Sequence, residues 1–393
     1  MRILYVALKY DYGKLEQGYS FEHYNFYHSL LHMGHDILYF DFMTLMQKHG
    51  RDWMNRRLLE VVKVEKPVLM FTVLFKDELD PAVVREISQN TETITLNWFC
   101  DDHWRFDNYA RYWARCFNWV VTTAKRALPK YEKLGYRNVV KSQWACNHFL
   151  YRKLNLPLIY DVTFVGQPHS NRRQVIQALR NAGVDVHVWG RSWESGRISQ
   201  EEMIRVFNQS RINLNLSHSS TPLSIHKGRV KNITHRWLSN YLKVIPFRSQ
   251  IKTMSKQWLT AIKHSKIADG TQIRFYPGSR KYIDQIKGRN FEIPGCGGFL
   301  LTEMAEDLEN YYKIGREIVC FDSIDDLIEK IDYYLHHEDE RIAIAQAGYE
   351  RTLCEHTYVH RFTEIFKQLG LQCKPLSYGL VGKVRLGQTE EIH

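Results

Sequence analysis

Strand-like and helix-like segments alternate along this chain, and the alternation starts twice, once at Ile3 and again near residue 160. Ile3–Leu8 is a short continuous apolar run, the pattern of a strand buried on both faces. The segments 37–40, 68–75, 93–100, 119–123 and 139–144 read as further strands. A helix is expected from Ser20 as N-cap, with Phe21, Tyr24, Tyr27 and Leu31 on its apolar face and Gly34 ending it. Asp80-Pro81 marks another helix start, with proline at the first helical position. The second series has strands at 161–165, 185–189, 212–216, 299–302 and 317–321, with helices at 174–182 and 201–210. Ser323 with Asp326 opens a further helix as a capping box, and Val359, Phe362, Phe366 and Leu369 give the last helix an apolar face. Strands separated by helices pair in parallel through right-handed crossovers, so the class is α/β with two doubly wound sheets. Ligands of such sheets bind at the carboxyl ends of the strands, here in the cleft between the halves. The expected division is 1–157, 158–354 and a terminal helix and tail at 355–393.

The net charge of +11 is local. Between His218 and Ile283 there are 13 Lys/Arg against one acid, Asp269, and the remainder is close to neutral. Within this basic segment, about 218–283, Trp237, Tyr241 and Trp258 interleave with cations at roughly helical spacing. It reads first as a helical insertion packing its aromatics on the second domain. Docking on an anionic membrane surface comes second, and nucleic acid third. Seven cysteines, scattered and never spaced Cys-x-x-Cys, argue against a disulfide framework or a zinc site and for a reducing compartment. With no signal-peptide pattern at the amino terminus and no apolar run of bilayer length, a cytoplasmic protein is expected, peripheral at the inner face of the membrane if the basic segment docks there.

The stretch from Gln285 to Glu303 carries the most chemistry. Lys287 and Arg289 flank a glycine ahead of a short helical turn, and two cations beside free backbone amides suit a diphosphate. Glu292, one turn on, suits ribose hydroxyls; a plain helix-start carboxylate is the alternative. Gly297-Gly298 allows close backbone approach before a buried strand.

This Lys-Gly-Arg-x-Phe-Glu-x-Pro-x-x-Gly-Gly run resembles the donor domain of the CgeB-like (spore-maturation-protein-like) glycosyltransferases, relatives of the retaining GT-B enzymes. The resemblance extends to Gly348, Arg351 and Glu355-His356-Thr357-Tyr358, and back to Val162–Gly166 and Ile212–Ser217. The first half joins it through Trp98–Asp102 and Ser142–Asn147. It implies a GT-B fold of two Rossmann-like domains, an acceptor side first and a nucleotide-sugar side second. The reaction implied is transfer from a UDP- or GDP-linked sugar to a glycan, lipid-linked or other cell-envelope acceptor, with retention, no cofactor and no metal. Two other readings stay open: a catalytically silent nucleotide-sugar-binding or coat-associated structural protein, and a glycosyltransferase acting on modified DNA bases. In this frame Glu292 holds the donor ribose, as the second glutamate of a Glu-(seven residues)-Glu motif whose first position falls at Asp284. Lys287 and Arg289 hold the diphosphate. Apart from the resemblance, the loop Asn171-Arg172-Arg173 reads either as a helix start donating to phosphate, with Arg173 as its contact, or as an ordinary basic helix terminus. Gly166, Gly190, Arg191, Ser217, Gly297 and Gly298 complete the donor side. Asp101, Asp102 and His103, after a strand of the first half, are expected to deprotonate or orient the acceptor hydroxyl, or else to cap a helix. The first βα loop, Gly13–Tyr19, reads either as bordering the acceptor, through Gly18 and Tyr19, or as a plain flexible turn. His23, His28, His32 and His35 are expected at the surface.

Overall fold

The structure is a computed structural model that describes residues 1–169, 171–217 and 285–372. The basic segment 218–283, Asp284 and the tail from 373 lie outside the described residues.

The first domain is one parallel sheet in the order β2-β1-β3-β4-β5-β6, built from β1 (Arg2–Val6), β2 (Asp36–Phe40), β3 (Leu69–Thr72), β4 (Ile94–Phe99), β5 (Trp119–Thr122) and β6 (Val139–Lys141). The second is a parallel sheet in the order β11-β10-β9-β7-β8, from β7 (Tyr160–Val165), β8 (Val186–Trp189), β9 (Ser210–Asn215), β10 (Leu300–Glu303) and β11 (Val319–Phe321). Every expected strand is present. β3 is shorter than its apolar run, because after the Val73 N–H, which still donates to the Val6 carbonyl at 3.0 Å, the Leu74 N–H turns to the Asn97 side chain at 3.2 Å. Both sheets reverse strand order beside their first strand, so each has a crevice at the carboxyl ends of β1/β3 and of β7/β9.

Local signals act as expected at several helix starts. The Ser20 hydroxyl accepts from the His23 N–H at 3.0 Å, and Asp80 accepts from the Ala82 N–H at 2.8 Å beside Pro81. Ser323 accepts from the Asp326 N–H at 3.1 Å, but the Asp326 carboxylate turns to the Asp322 N–H and Lys330 instead of closing the box. A full capping box stands instead at Ser199/Glu202, heading the helix Gln200–Gln209.

The helix after Ser20 departs from its predicted face. It winds as a π-turn over His23–Tyr27 before the α-turn His28–His32, and the wider turn shifts the buried stripe. Phe26 and Leu30 are therefore core, Leu31 is exposed, and His23 and His35 are buried and not at the surface. Burial drives the His23 imidazole down to about 3, so it is neutral.

The terminal helix Tyr358–Gln368 returns to the first domain. Cys146 exchanges backbone bonds with the strand-like turn before it, donating to the His356 carbonyl at 2.9 Å and accepting from the Tyr358 N–H at 3.0 Å. Phe362 then packs with Phe26 and Phe71, ring centroids 5.7 and 5.6 Å away. One apolar cluster thus runs from Ile3 and Trp98 of the first domain to Phe291 and Leu300 of the second. No described helix is long and apolar enough to cross a membrane. Phe362→Ala is expected to lower stability by about 3–5 kcal/mol through the cavity it leaves, read as a lower denaturation midpoint of the whole chain.

Candidate active site between the two sheets

The carboxyl ends of the sheets face each other across a cleft, and polar contacts join its walls. Gln285 donates to Thr123 Oγ1 at 2.7 Å and to the Cys100 carbonyl at 3.3 Å, at the exits of β5 and β4. Arg197 pairs with Asp11 at 2.6 Å, Arg191 donates to Gln17 at 3.3 Å, and Arg126 pairs with Glu306 at 3.0 Å. Between them lies a cavity of about 330 Å³, with Gly18, Tyr19 and Phe21 on one wall and Gly166, Gly190 and Arg289 on the other.

On the second domain, Glu292 is fully buried in the seven-residue helix Arg289–Gly295. It accepts from the Tyr151 hydroxyl at 2.9 Å and from Arg289. Burial opposes the charge on Arg289, but Glu292 and Tyr151 outweigh it and its pKa is raised. The Arg289 Nε–H points to the Val165 carbonyl at 3.4 Å. Lys287 is half-buried, with Nζ 3.3 Å from Gln285 Oε1, and its N–H donates to Asn290 Oδ1 at 2.9 Å. Asn290 is held in turn by Asn215, which donates to it at 3.1 Å and to Thr302 Oγ1 at 3.0 Å. That buried amide network pins the loop carrying Lys287 and Arg289 over the ends of β9 and β10.

The arginine pair of the loop after β7 divides differently from expectation. Arg173 is exposed and lies over the Trp193 ring, 4.9 Å from its centroid, so it is not a cleft residue. The preceding residue turns inward: Arg172 Nη1 donates to the Gln167 carbonyl at 2.8 Å, and its buried Nε has no hydrogen-bond partner. Burial pushes Arg172 down to about 10, with Glu303 supporting its charge and Arg289 opposing it. The helix periodicity from Arg172 to Asn181 decides this, since the first residue of the helix stays over the sheet end while the second points outward.

Gly166 and Gly190 lie together at the ends of β7 and β8. Gly190 adopts φ +146°, and a Cβ there would sit 2.2 Å from the Gly166 carbonyl oxygen. Ser217 is buried and donates to Glu303 at 2.9 Å, at the exits of β9 and β10. Gly297 and Gly298 are a correction, because they lie at the opposite end of β10 from the cleft. A Cβ on Gly298 would meet the Asn213 side chain at 2.8 Å and the Phe207 carbonyl at 2.9 Å, so the close approach is to the protein's own core.

In the first domain the Asp101-Asp102-His103 cluster separates. Asp101 stays partly exposed at the exit of β4. Asp102 is only 2% exposed, accepts from the Tyr131 hydroxyl at 2.6 Å and does not line the cavity. His103 is partly exposed on the short helix Asp102–Arg105 and does not line the cavity. A carboxyl not singled out in the sequence stands near Asp101 and Asp11. Burial pushes Glu22 up to about 7, with Asp11 and Asp101 adding to the rise. The signal was present in Ser20, whose cap fixes the turn carrying Glu22. Gly18 and Tyr19 do line the cavity, closed into a loop by a bridge between Tyr10 and Tyr19. Among the described residues no cluster of His, Cys, Asp or Glu could hold a metal ion.

The glycosyl transferase-like family model matches residues 171–240 and 234–367, which together span half of the sequence. The chain belongs to the glycosyl transferase-like family. Its similarity to spore protein CgeB of Bacillus subtilis (strain 168) is 23% identity over 241 residues, 61% of this chain and 64% of that protein. The match therefore spans somewhat less than two thirds of that relative's length. Among solved structures, Anabaena Alr3699/HepE in complex with UDP-glucose matches at TM-score 0.53 and 11% identity, covering 94% of this chain and 99% of that one. Sucrose-phosphate synthase from Thermosynechococcus elongatus matches at TM-score 0.51 and 10% identity, covering 94% and 97%. At such identities the likeness is one of fold: two facing parallel-sheet domains in the GT-B arrangement, as expected for a glycosyl transferase-like chain.

The Asp102 carboxyl titrates higher in the fold than its ordinary 3.8, at about 7. Burial is the main cause, opposed by the bonds from Tyr131 and Thr122. Its protonated form is the one the fold favours, so its stabilising share is present at low pH and lost as pH rises through that window. Asp102→Asn keeps an acceptor for Tyr131. It is expected to flatten the fall in melting temperature between pH 5 and pH 8, apart from the share due to Glu22, as scanning calorimetry of both proteins would show.

Proposed function

We propose that this chain transfers a sugar from a nucleoside-diphosphate donor to an acceptor hydroxyl, binding the donor at the exits of β7, β9 and β10. The observation that supports it best is the pair Arg172 and Arg289. Their guanidinium groups bond to carbonyls two residues apart, Gln167 and Val165, on either side of Gly166. Two desolvated cations meeting at the switch crevice of a parallel sheet, one with a donor left over, suit a diphosphate. Lys287 adds a third positive charge from the same side.

In this reading the acceptor oxygen bonds to the anomeric carbon, the bond from that carbon to the terminal phosphate oxygen breaks, and the nucleoside diphosphate leaves with the electron pair. The acceptor proton goes to a carboxylate at the first-domain edge. The arginines stabilise the charge growing on the leaving diphosphate without reorganising, which lowers the barrier. When Arg289 turns to the diphosphate, Glu292 is freed to accept from the ribose hydroxyls, and Tyr151 keeps its carboxylate in place. Arg191 and the Gly190 turn border the sugar or the base. These cations supply the neutralisation that a divalent metal supplies elsewhere, so a chelator is expected to leave turnover unchanged. Retention at the anomeric centre follows the resemblance to the retaining GT-B enzymes, and NMR of the product reads it.

HepE, which shares the fold, was solved with UDP-glucose, making that the first donor to test. UDP-glucose or another UDP- or GDP-hexose is expected to raise the melting temperature and to be slowly hydrolysed. Arg172→Ala and Arg289→Ala should each weaken UDP binding roughly 10- to 100-fold, the loss of a charge-assisted bond of about 1.5–3 kcal/mol, whereas Arg173→Ala leaves it unchanged. Equal losses at Arg172 and Arg173, measured by calorimetric titration, would contradict the assignment.

A further inference from the structure

Arg172 and Arg289 take their bonds from the second domain itself, at the Gln167 and Val165 carbonyls, 2.8 and 3.4 Å away. Lys287 is tied differently. Its backbone N–H donates to Asn290 Oδ1 at 2.9 Å, and Asn290 is fixed by Asn215 over the ends of β9 and β10. Its ammonium donates to Gln285 Oε1 at 3.3 Å. Ile286, between the two, is fully buried in the apolar cluster that both domains share, which fixes the segment carrying both side chains.

The other end of the Gln285 amide faces the first domain. Nε2 donates to Thr123 Oγ1 at 2.7 Å and to the Cys100 carbonyl at 3.3 Å, and the Thr123 hydroxyl donates to that same carbonyl at 3.3 Å. Gln285 and Thr123 are both buried, so water competes little for these bonds. The partners also fix which way the amide points. Turned over, it would set its NH2 group against the Lys287 ammonium and its oxygen against the Cys100 carbonyl, two contacts of like with like. As placed, the oxygen serves the cation and the N–H groups serve two acceptors of the first domain.

The exit of β5 is one place where the halves meet. Just beyond Thr123, Lys125 pairs with Asp307 at 3.1 Å and Arg126 with Glu306 at 3.0 Å. Both cations stand exposed at the rim, where salt screens them and many geometries serve equally well. These pairs draw the surfaces together without setting a register. The buried amide does set one, because a hydrogen bond weakens steeply with distance and angle.

We propose that Gln285 is a positioning residue, by which the seating of the first domain at Thr123 and Cys100 sets the Lys287 ammonium for the donor diphosphate. The coupling is a property of the chain itself, and its use in reaction rests on the transferase reading. Arg172 and Arg289 then hold the diphosphate before reaction. Lys287 matters most as the bond from the anomeric carbon to the phosphate oxygen breaks and charge grows on that oxygen. A cation speeds such a step only by stabilising the developing charge, and it does so best when already in place. Gln285 therefore acts on turnover and leaves the binding of the nucleoside diphosphate to the arginines.

The test uses the full chain, with UDP-glucose and GDP-mannose as donors and UDP and GDP as ligands. Competitive acylation read by mass spectrometry reports the accessibility of the Lys287 amine, with exposed Lys63 as internal standard. Thr123→Val removes the hydroxyl that Gln285 uses and keeps both Gln285 and Lys287. It is expected to raise Lys287 labelling threefold or more, whereas Thr123→Ser, which keeps the hydroxyl, should label as the unmodified chain does. Donor turnover should fall tenfold or more in Thr123→Val and in Gln285→Leu, and no further in the double variant, while the Kd for the nucleoside diphosphate stays within twofold. Lys287 labelling unmoved by Thr123→Val overturns the proposal, as do losses that multiply in the double variant or an affinity that falls together with turnover. Raised labelling in a chain that binds neither nucleoside diphosphate and turns over neither donor would leave the coupling standing and overturn the donor reading.

Discussion

Glu292 has no access to water, and a carboxylate in that position persists only when paired and hydrogen-bonded. Its two partners come from different parts of the chain. Arg289 shares its helix and reaches the end of β7, and Tyr151 lies in the segment linking the two sheets. The pairing therefore fixes the donor-side helix, the strand end and the inter-domain link against one another. Gly288, at the head of the same helix, allows this closeness, since a Cβ there would come within 3.0 Å of Phe21 from the first domain. The same three-residue knot that holds the halves in register thus supplies the groups that meet a donor, which couples folding of the cleft to its chemistry.

The two walls of the cleft are built by one architectural rule. Each sheet reverses its strand order beside its first strand, opening a crevice there. On the second domain that crevice holds Arg172 and Arg289, and on the first Asp11, paired with Arg197, lines the cavity. Salt bridges from Arg197 to Asp11 and from Arg126 to Glu306 join the rims, so the walls attract each other at their edges while their centres stay specialised. The terminal helix, packed on the first domain through Phe362, closes the arrangement from behind.

Much of the fold was legible in the chain because parallel strands buried on both faces write themselves as short apolar runs, and because caps such as Ser20 and Asp80 act within a few residues. The site was legible only in part. Gly166, Gly190, Arg191, Arg289, Gly18 and Tyr19 line the cavity, while Gly297 and Gly298 serve packing at the far end of β10. A glycine pair signals close approach without saying to what. The choice between Arg172 and Arg173 turned on which side of one helix faces the sheet end, and a shift of a single residue reverses it.

By itself the sequence determined the two series of parallel strands, their helices, and the concentration of phosphate-seeking groups after Gln285, because periodicity, caps and residue chemistry are local properties. Tertiary structure alone decided which of these groups share a space. It buried Asp102 under Tyr131 and turned His23 into the core through a π-turn that no periodicity announces. It also placed the Tyr12 ring edge-to-face against Phe75, although a whole helix and strand separate them in sequence. The physical reason is that burial and proximity are set by which strand exits become neighbours, and strand order in a sheet is not written in any one segment of the chain.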